Sequence, residues 1–246
     1  MTGAAAGLAR GISLALAREG YDIVFTYRGG GRPPAQTREL LAAEGFASHA
    51  YPVEFLKPAV DVAQELGEVA SAHAIDILVH AVGPMTVRGF ERSTIDDYHA
   101  MMDGNFRSAV QTAMALLPGM RERRFGRLVF FGLNGSQFTQ PARGLTLHAA
   151  AKAALVTFAR SLALEEGRHG ITVNVVEPGD IRDKERTRAQ ARDAKATNPV
   201  GRPGTWEDVA DAVRFLVRED SDFLNGVVLN VAGGLAEVYE RNADGP

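Results

Sequence analysis

Cysteine is absent from the sequence, tryptophan occurs once, and the formal net charge is only -3. The lack of cysteine excludes disulfide bonds and thiolate metal sites, and no spacing of His, Asp and Glu indicates a metal. A net charge this small gives no reason to expect nucleic acid or an acidic membrane as a partner. No uninterrupted apolar run is long enough to cross a bilayer, and the N-terminus has no secretory-signal pattern. These absences leave a cytoplasmic protein as the expectation.

The 246 residues instead show short apolar runs that alternate with longer helical patterns. Such alternation predicts an α/β fold, a parallel sheet with helices on both faces, in a single domain over residues 1–246. The charged segment 180–204 has no strong apolar face and is expected to be a mobile flap or insertion rather than part of the core. Strands are predicted at 21–27, 47–53, 75–81, 127–131, 171–177 and 226–231, and helices near 8–20, 34–45, 58–72, 95–123, 147–167 and 206–218.

Glycines stand at the head of the first predicted helix, in TGAAAGLARGISLALAREG (residues 2–20). Gly3 and Gly7 let the backbone turn tightly towards a phosphate, and the helix N-terminus offers free N–H groups to that anion. Taken alone, the pattern also fits an N-terminal loop of small residues. A nucleotide-binding loop should follow a strand, and only Met1 precedes Thr2. We therefore expect a central first strand to be missing from the chain as given, so that the fold is poorly stable or pairs differently.

Six motifs occur in an order that is typical of one enzyme family. They are TGAAAGLA (2–9), IDILVHAVG (75–83), MMDGNF (101–106), GRLVFFGLNGS (126–136), LHAAAK (147–152) and ITVNVVEPGDI (171–181), and residues 201–234 continue the match. In this order the chain resembles the short-chain dehydrogenase/reductase family, particularly its 3-oxoacyl-carrier-protein reductase branch. The resemblance implies a Rossmann-type doubly wound parallel sheet in three α/β/α layers, with NAD(H) or NADP(H) bound at the carboxyl ends of the strands.

The resemblance also implies the residues of the site. Lys152 and Asn105 match the family's ribose-binding lysine and the asparagine that anchors a water relay. His148 stands at the position of the proton-transferring tyrosine, and Leu133 stands where the family has a substrate-binding serine. Ser136 serves in its place if the longer loop is rearranged, so the catalytic set is His148, Lys152, Asn105 and Ser136. The cofactor-binding set is Thr2, Gly3, Gly7, Leu8, Arg28, Glu54, Val82, Gly83, Lys152, Pro178, Gly179 and Ile181.

Arg28 follows the strand that should end beside the adenine ribose. An acidic residue there would accept hydrogen bonds from a ribose 2′-hydroxyl, whereas an arginine suits a 2′-phosphate. The resemblance therefore implies NADP(H) rather than NAD(H), with Arg32 as an assisting cation. The alternative is that Arg28 is a solvated charge before a glycine-rich turn.

His148 and Lys152 are four residues apart and share one helix face. An imidazole has a pKa near neutrality and is competent as the general acid that carbonyl reduction needs. However, Lys152 disfavours the imidazolium, and imidazole is shorter than phenol. The alternative is a degenerate site that no longer reduces anything. His80, at a strand end, and His99, on a helix surface, are weaker candidates.

Two functions follow from the sequence. The first is an NADP(H)-dependent oxidoreductase that reduces a carbonyl, such as a 3-oxoacyl thioester, or oxidises the alcohol. The second is a regulatory or binding protein that holds the nucleotide without turnover. The run MRERRFGR (120–127) and Arg168 are either a basic patch for an acyl carrier protein or a solvated helix end. By resemblance, helices 95–123 and 147–167 pair subunits into a homodimer or homotetramer.

Overall fold

The computed structural model describes residues 1–235. The strands are β1 (Ile23–Tyr27), β2 (Ser48–Pro52), β3 (Ile77–His80), β4 (Gly126–Phe131), β5 (Ile171–Pro178) and β6 (Val228–Val231). The helices are α1 (Gly7–Arg18), α2 (Ala35–Ala43), α3 (Ala59–Ala72), α4 (Ile95–Met102), α5 (Ser108–Arg123), α6 (Thr146–Glu166), α7 (Arg188–Ala191) and α8 (Trp206–Val217). The predicted alternation is confirmed. Among the described residues, the predicted helix 95–123 is divided into α4 and α5, and the short helix α7 is additional.

All the strand pairs are parallel, but they form two sheets rather than one. β1 pairs with β2, and the other strands follow the order β3–β4–β5–β6. Residues 1–4 lie between the two sheets and bond to both. The Thr2 N–H donates to the Val79 carbonyl at 3.0 Å, and the Thr26 N–H donates to the Met1 carbonyl at 2.9 Å. The sheet is therefore continuous near the carboxyl ends of its strands and interrupted near the amino ends of β1 and β3.

A cavity of about 510 Å³ marks that interruption. It is lined by residues 20–24 on the side of β1 and by residues 73–77 on the side of β3, with Met1 beside them. The Met1 amino group donates to the Val24 carbonyl at 2.8 Å. The cavity lies between β1 and β3. That a first strand is missing from the chain as given stays a prediction.

Helices cover both faces of the strands and give the three predicted layers. On one face, α1, α2 and α8 enclose a core that includes Ile12, Phe25 and Val213. On the other face, α5 and α6 pack around Phe130 and Leu155, and α3 packs against α5. Burial of these apolar side chains is the main favourable term in the stability of such a domain.

Helix α6 is long and apolar enough, by length and composition, to cross a membrane, and it is alone in this among residues 1–235. Its buried side chains, including Ala151, Leu155 and Ala159, join the core against β4 and β5. This packing identifies α6 as a core helix. The same buried face carries His148 and Lys152, so packing of the helix fixes where these two side chains lie.

The segment 180–204 is connected to its surroundings by ion pairs. Glu185 contacts Arg10 of α1 at 3.0 Å and Arg32 at 3.1 Å, and Arg188 contacts Asp208 of α8 at 3.0 Å. These contacts place the segment over the start of α1. Its mobility stays a prediction.

The run 120–127 does not form a continuous basic surface. Arg127 is only 2% exposed, and its guanidinium donates to four backbone carbonyls, those of Gly126, Gly170, Arg218 and Glu219. Both alternatives for this run, a basic patch and a solvated helix end, place Arg127 at the surface, and both are wrong for this residue because these carbonyls hold it inside the protein. Arg121 and Arg123 are paired with Glu166 and Asp76, respectively.

Candidate active site

The glycine loop lies at the carboxyl ends of β1 and β3. Gly3 and Gly7 adopt φ angles of 68° and 64°, a region that only glycine occupies freely. Helix α1 begins at Gly7 without a side-chain cap, so its first N–H groups have no partner from such a cap. A Cβ on Gly3 would lie 3.2 Å from the Val82 side chain. The loop thus has the close approach and the free donors that an anion site needs.

A chain of hydrogen bonds through His80 connects the glycine loop to Ser108 at the start of α5. The Ala81 N–H donates to Thr2 Oγ1 at 3.0 Å, and the Thr2 hydroxyl lies 3.1 Å from His80 Nδ1. On the other side of the ring, Nε2 lies 3.0 Å from Ser108 Oγ, which donates to the Gly104 carbonyl. Because Ser108 has already donated its proton, His80 donates at Nε2 and accepts at Nδ1. Burial lowers the pKa of His80 to about 3, so the ring is neutral and serves the structure.

A second cavity, of about 280 Å³, opens beside the glycine loop. Five residues of the predicted cofactor set line it together: Gly3, Arg28, Glu54, Val82 and Gly83. Arg28, Glu54 and the pair Val82 and Gly83 follow the carboxyl ends of β1, β2 and β3, and Gly3 lies between the two sheets. Leu8, by contrast, packs against the core on the first turn of α1.

The predicted catalytic residues His148, Lys152 and Asn105 surround the start of the loop after β3. The Lys152 ammonium donates to the Phe131 carbonyl at 2.7 Å, and His148 Nδ1 lies 3.1 Å from the Pro84 carbonyl. The Asn105 amide donates to the same Pro84 carbonyl at 2.9 Å. Asn105 lies in a π-helical turn, Asp103–Arg107, between α4 and α5. Such turns are rare and occur mostly at functional sites.

Burial controls the charges in this cluster. His148 and Lys152 are each 5% exposed. Burial, and then the charge of Lys184, lowers the pKa of Lys152 to about 8. Burial, followed by the charge of Lys152, lowers the pKa of His148 to about 4, although the bond to the Pro84 carbonyl acts in the opposite direction. At neutral pH the site therefore holds a cationic lysine beside a neutral imidazole.

Ser136 lies apart from this cluster in its hydrogen bonding. Its hydroxyl donates to the carboxylate of Glu177 at 2.5 Å, and the backbone N–H groups of Gly135 and Gln137 donate to the same carboxylate at 3.0 and 3.1 Å. Glu177 is fully buried at the end of β5, and three donors suit its ionised form. The loop after β4 is therefore wrapped around this carboxylate.

The end of β5 supplies the remaining predicted cofactor residues. Pro178 closes the strand, the Gly179 N–H donates to the Val231 carbonyl at 3.0 Å, and Ile181 packs against the core beside α1. The sequence reasoning missed Lys184, which lies here too: a Cβ on Gly7 would be 3.5 Å from its Cβ. It also missed Glu177, although a charged residue at the end of the apolar run ITVNVV was a visible signal.

An unpaired acceptor faces the free side of Gly83. The Asn105 carboxamide oxygen is buried and has no hydrogen-bond partner among the described residues. A Cβ on Gly83 would lie 2.8 Å from this oxygen and 3.1 Å from Lys152 Nζ. The Asn105 oxygen and the Lys152 ammonium thus both lie close to the Gly83 backbone, and a ligand hydroxyl that reached them could donate to the oxygen and accept from the ammonium. The arrangement fits a dinucleotide with its diphosphate at the glycine loop and its adenosine end at Arg28.

Comparisons with known proteins show which family the chain belongs to. The family model described as enoyl-(acyl carrier protein) reductase matches residues 3–236. The 3-oxoacyl-[acyl-carrier-protein] reductase FabG of Escherichia coli is 31% identical over 242 residues, which cover 96% of this chain and 95% of that protein. The corresponding reductase MabA of Mycobacterium bovis is 30% identical over 240 residues, covering 96% and 91%.

Solved structures share the fold over nearly the whole chain. The acetoin dehydrogenase of Enterobacter cloacae superposes with a TM-score of 0.84 at 26% identity, covering 98% of this chain and 95% of that one. A blue fluorescent protein from a metagenomic library, in complex with NADPH, superposes with a TM-score of 0.81 at 29% identity, covering 96% of both chains. On these matches, the chain belongs to the short-chain dehydrogenase/reductase family of oxidoreductases and is similar to its 3-oxoacyl-carrier-protein reductases.

Proposed function

We propose that the protein is an NADP(H)-dependent oxidoreductase that interconverts a carbonyl and the corresponding alcohol. One observation carries the proposal: His148, Lys152 and the unpaired Asn105 oxygen converge beside Gly83, at the edge of the cavity that Arg28 lines. A proton-transfer group, a cation and a nucleotide cavity are the parts that the reaction needs.

Each residue of the cluster has a role in this proposal. Lys152 holds the ribose next to the nicotinamide, Asn105 orders a water with its free oxygen, and His148 exchanges a proton with the substrate oxygen. The nicotinamide, when bound, supplies or takes up a hydride. Thr2, Gly3 and Gly7 hold the diphosphate with Leu8, while Pro178, Gly179 and Ile181 border the nicotinamide end. Ser136 stays a proposed contact to the substrate, although its hydroxyl proton is directed at Glu177.

NADP(H) is the proposed cofactor because Arg28 is an exposed cation in the adenosine cavity. The NADPH complex of the similar blue fluorescent protein supports this choice. Arg32 is already engaged by Glu185, which leaves Arg28 as the principal contact. A charge-assisted bond to a 2′-phosphate contributes about 1.5–3 kcal/mol, so its loss weakens binding roughly 10- to 150-fold.

Calorimetric titration tests the cofactor assignment. We expect Arg28→Glu to weaken NADPH binding roughly 10-fold or more and to leave NADH binding within about threefold. The matched control is Arg160→Glu, since Arg160 is exposed on α6 and does not line the cavity. Equal affinity of the unaltered protein for the two nucleotides, with no effect of Arg28→Glu, would contradict the assignment.

A 3-oxoacyl thioester is the proposed substrate class, delivered on an acyl carrier protein, because the similar FabG and MabA proteins are named for this substrate. The exposed Arg124 and Arg168 are the cations left for such a partner. A homodimer or homotetramer is also proposed: Met114 of α5 is 71% exposed and Leu164 of α6 is 88% exposed, so both helices carry apolar surface. A cytoplasmic location stays a prediction.

A nucleotide-binding protein without turnover is the second candidate. The commitment of Ser136 to Glu177 favours it, since the hydroxyl proton of Ser136 is then not directed at a substrate carbonyl. Oxidation of NADPH with a panel of ketones and acyl thioesters separates the two functions. Turnover that is lost in His148→Ala supports the oxidoreductase. NADPH binding without turnover, in both the unaltered protein and His148→Tyr, supports the binding protein.

A further inference from the structure

The hydrogen bond between His148 and Pro84 determines which ring nitrogen carries the proton. Nδ1 lies 3.1 Å from the Pro84 carbonyl oxygen. A carbonyl oxygen can only accept, and proline has no N–H to offer. Nδ1 is therefore protonated in this contact. In the neutral ring the other nitrogen, Nε2, then has a lone pair and no proton.

The surroundings of the ring keep it neutral. Within residues 1–235, the charged groups that shift its pKa are both cations: Lys152, one turn further along α6, and Lys184, from the segment after β5. Asn105, which is uncharged, shares the Pro84 carbonyl with the ring. With a pKa of about 4, His148 has no second proton to give at neutral pH.

The second donor that a carbonyl substrate requires is also engaged. The Ser136 hydroxyl proton points to Glu177, and Ser136 Oγ accepts the Leu133 N–H at 3.2 Å. A carbonyl oxygen needs donors as negative charge develops on it. An alcohol needs the opposite, an acceptor for its hydroxyl proton, and His148 Nε2 offers one.

We propose that His148 is a general base whose Nε2 takes the hydroxyl proton of an alcohol, so that the resting site is in the protonation state that alcohol oxidation requires. The inference rests on the oxidoreductase function proposed above. In the step, the O–H bond breaks and its proton moves to Nε2, while its electron pair forms the second bond of the carbonyl. The carbinol hydrogen leaves with its electron pair as a hydride, which the oxidised nucleotide takes up. The imidazolium then releases the proton to solvent.

The kcat/KM values for oxidation and for reduction are expected to depend differently on pH. A base that is already unprotonated gives a kcat/KM for oxidation that does not change between about pH 5.5 and pH 7, which lies above the pKa of His148 and below that of Lys152. Reduction needs the imidazolium, whose population falls tenfold for each pH unit above the pKa. Reduction should therefore slow about tenfold per unit over the same range. A general acid with a high pKa produces the reverse: constant reduction, and oxidation that rises with pH.

Nuclear magnetic resonance tests the proton position without any turnover. In ¹⁵N-labelled protein, ¹⁵N–¹H correlations of the imidazole rings distinguish the two tautomers, and His148→Gln and His148→Tyr assign the signal among the six histidines. We expect the Nδ1–H tautomer, with a titration near pH 4. An Nε2–H tautomer, or a titration above about pH 6, overturns the proposal.

Kinetics in both directions give the second test, with NADP⁺ and a 3-hydroxybutyryl thioester for oxidation and NADPH and a 3-oxobutyryl thioester for reduction. A kcat/KM for oxidation that is constant with pH, together with a kcat/KM for reduction that falls as pH rises, supports the proposal. In His148→Tyr the pH dependence should instead appear in the oxidation direction, because tyrosine titrates near pH 10. Flat reduction with rising oxidation in the unaltered protein overturns the role of His148 and leaves the oxidoreductase function standing. Failure of both nucleotides to bind overturns both proposals.

Discussion

Replacing Glu177 with Gln tests how strongly the loop after β4 is held. Glu177 is 0% exposed, and its donors within the described part of the chain include Ser136 Oγ and the Gln137 N–H at one oxygen and the Gly135 N–H at the other. Glutamine has nearly the same shape, so it creates no cavity. It puts an NH₂ group, which cannot accept, in place of one oxygen. In either orientation of the amide, its NH₂ group faces a backbone N–H, that of Gln137 or that of Gly135, so two donors meet.

The magnitude follows from this mismatch. A hydrogen bond to a charged group contributes about 1.5–3 kcal/mol, and at least one is lost. The substitution also removes the cost of burying a charge, which works in the opposite direction. The polar amide must still be buried opposite an unsatisfied N–H, so the mismatch dominates. We expect Glu177→Gln to lower the free energy of unfolding by about 2 kcal/mol and the melting temperature by roughly 4–8 °C.

Urea denaturation followed by circular dichroism measures the effect. The matched control is Glu165→Gln, since Glu165 is exposed on α6 and its replacement should stay within about 0.5 kcal/mol. Hydrogen exchange should show faster exchange of the Gly135 and Gln137 amides in Glu177→Gln. A change of less than about 0.5 kcal/mol, with both amides still protected, refutes the claim that Glu177 holds this loop.

Two further substitutions test the packing that supports the site. Gly11→Ala places a Cβ 2.5 Å from the Trp206 ring, so overpacking should lower the free energy of unfolding by about 1–3 kcal/mol despite the better helix propensity. Gly67→Ala on α3, where nothing lies within 4 Å of the added Cβ, should instead raise it by up to about 1 kcal/mol. Equal effects of the two substitutions in urea denaturation would contradict the clash at Trp206. Arg127→Met removes bonds to four carbonyls and should cost roughly 2–5 kcal/mol by the same measurement, whereas a loss no larger than that of Arg160→Met would show that these bonds contribute little.

Periodicity in the sequence was enough to predict the large elements. The run 171–177 became β5, Ile171–Pro178, because a strand buried on both faces shows a continuous apolar pattern. Helix α7 escaped prediction because its four residues carry no periodic signal. It depends on a capping box, Thr187 with Gln190, and on ion pairs to a distant helix. Arg127 was misplaced for a similar reason, since carbonyls from residues 218 and 219 bury it.

The residues of the candidate site also fall into those that the sequence could predict and those that it could not. Gly3, Arg28 and Glu54 could be brought together from the sequence, because parallel strands end at one edge. The proton position on His148 could not, since it depends on a carbonyl 64 residues away in the chain. The contact of Ser136 with Glu177 also joins residues far apart, and no local pattern announces it. Sequence therefore predicts where chemistry can take place better than it predicts which protons are available for it.

The interrupted sheet has a thermodynamic consequence for ligand binding. Below residues 1–4, the β1–β2 pair and the β3–β6 group share no ladder of backbone bonds, and a cavity separates them. Arg28 and Glu54 belong to the first group, whereas Lys152 is bonded to Phe131 of the second. Any ligand long enough to contact residues of both groups would link the two groups of strands. Its binding energy would then suppress the opening of one group from the other and appear as an increase in melting temperature that grows with ligand concentration.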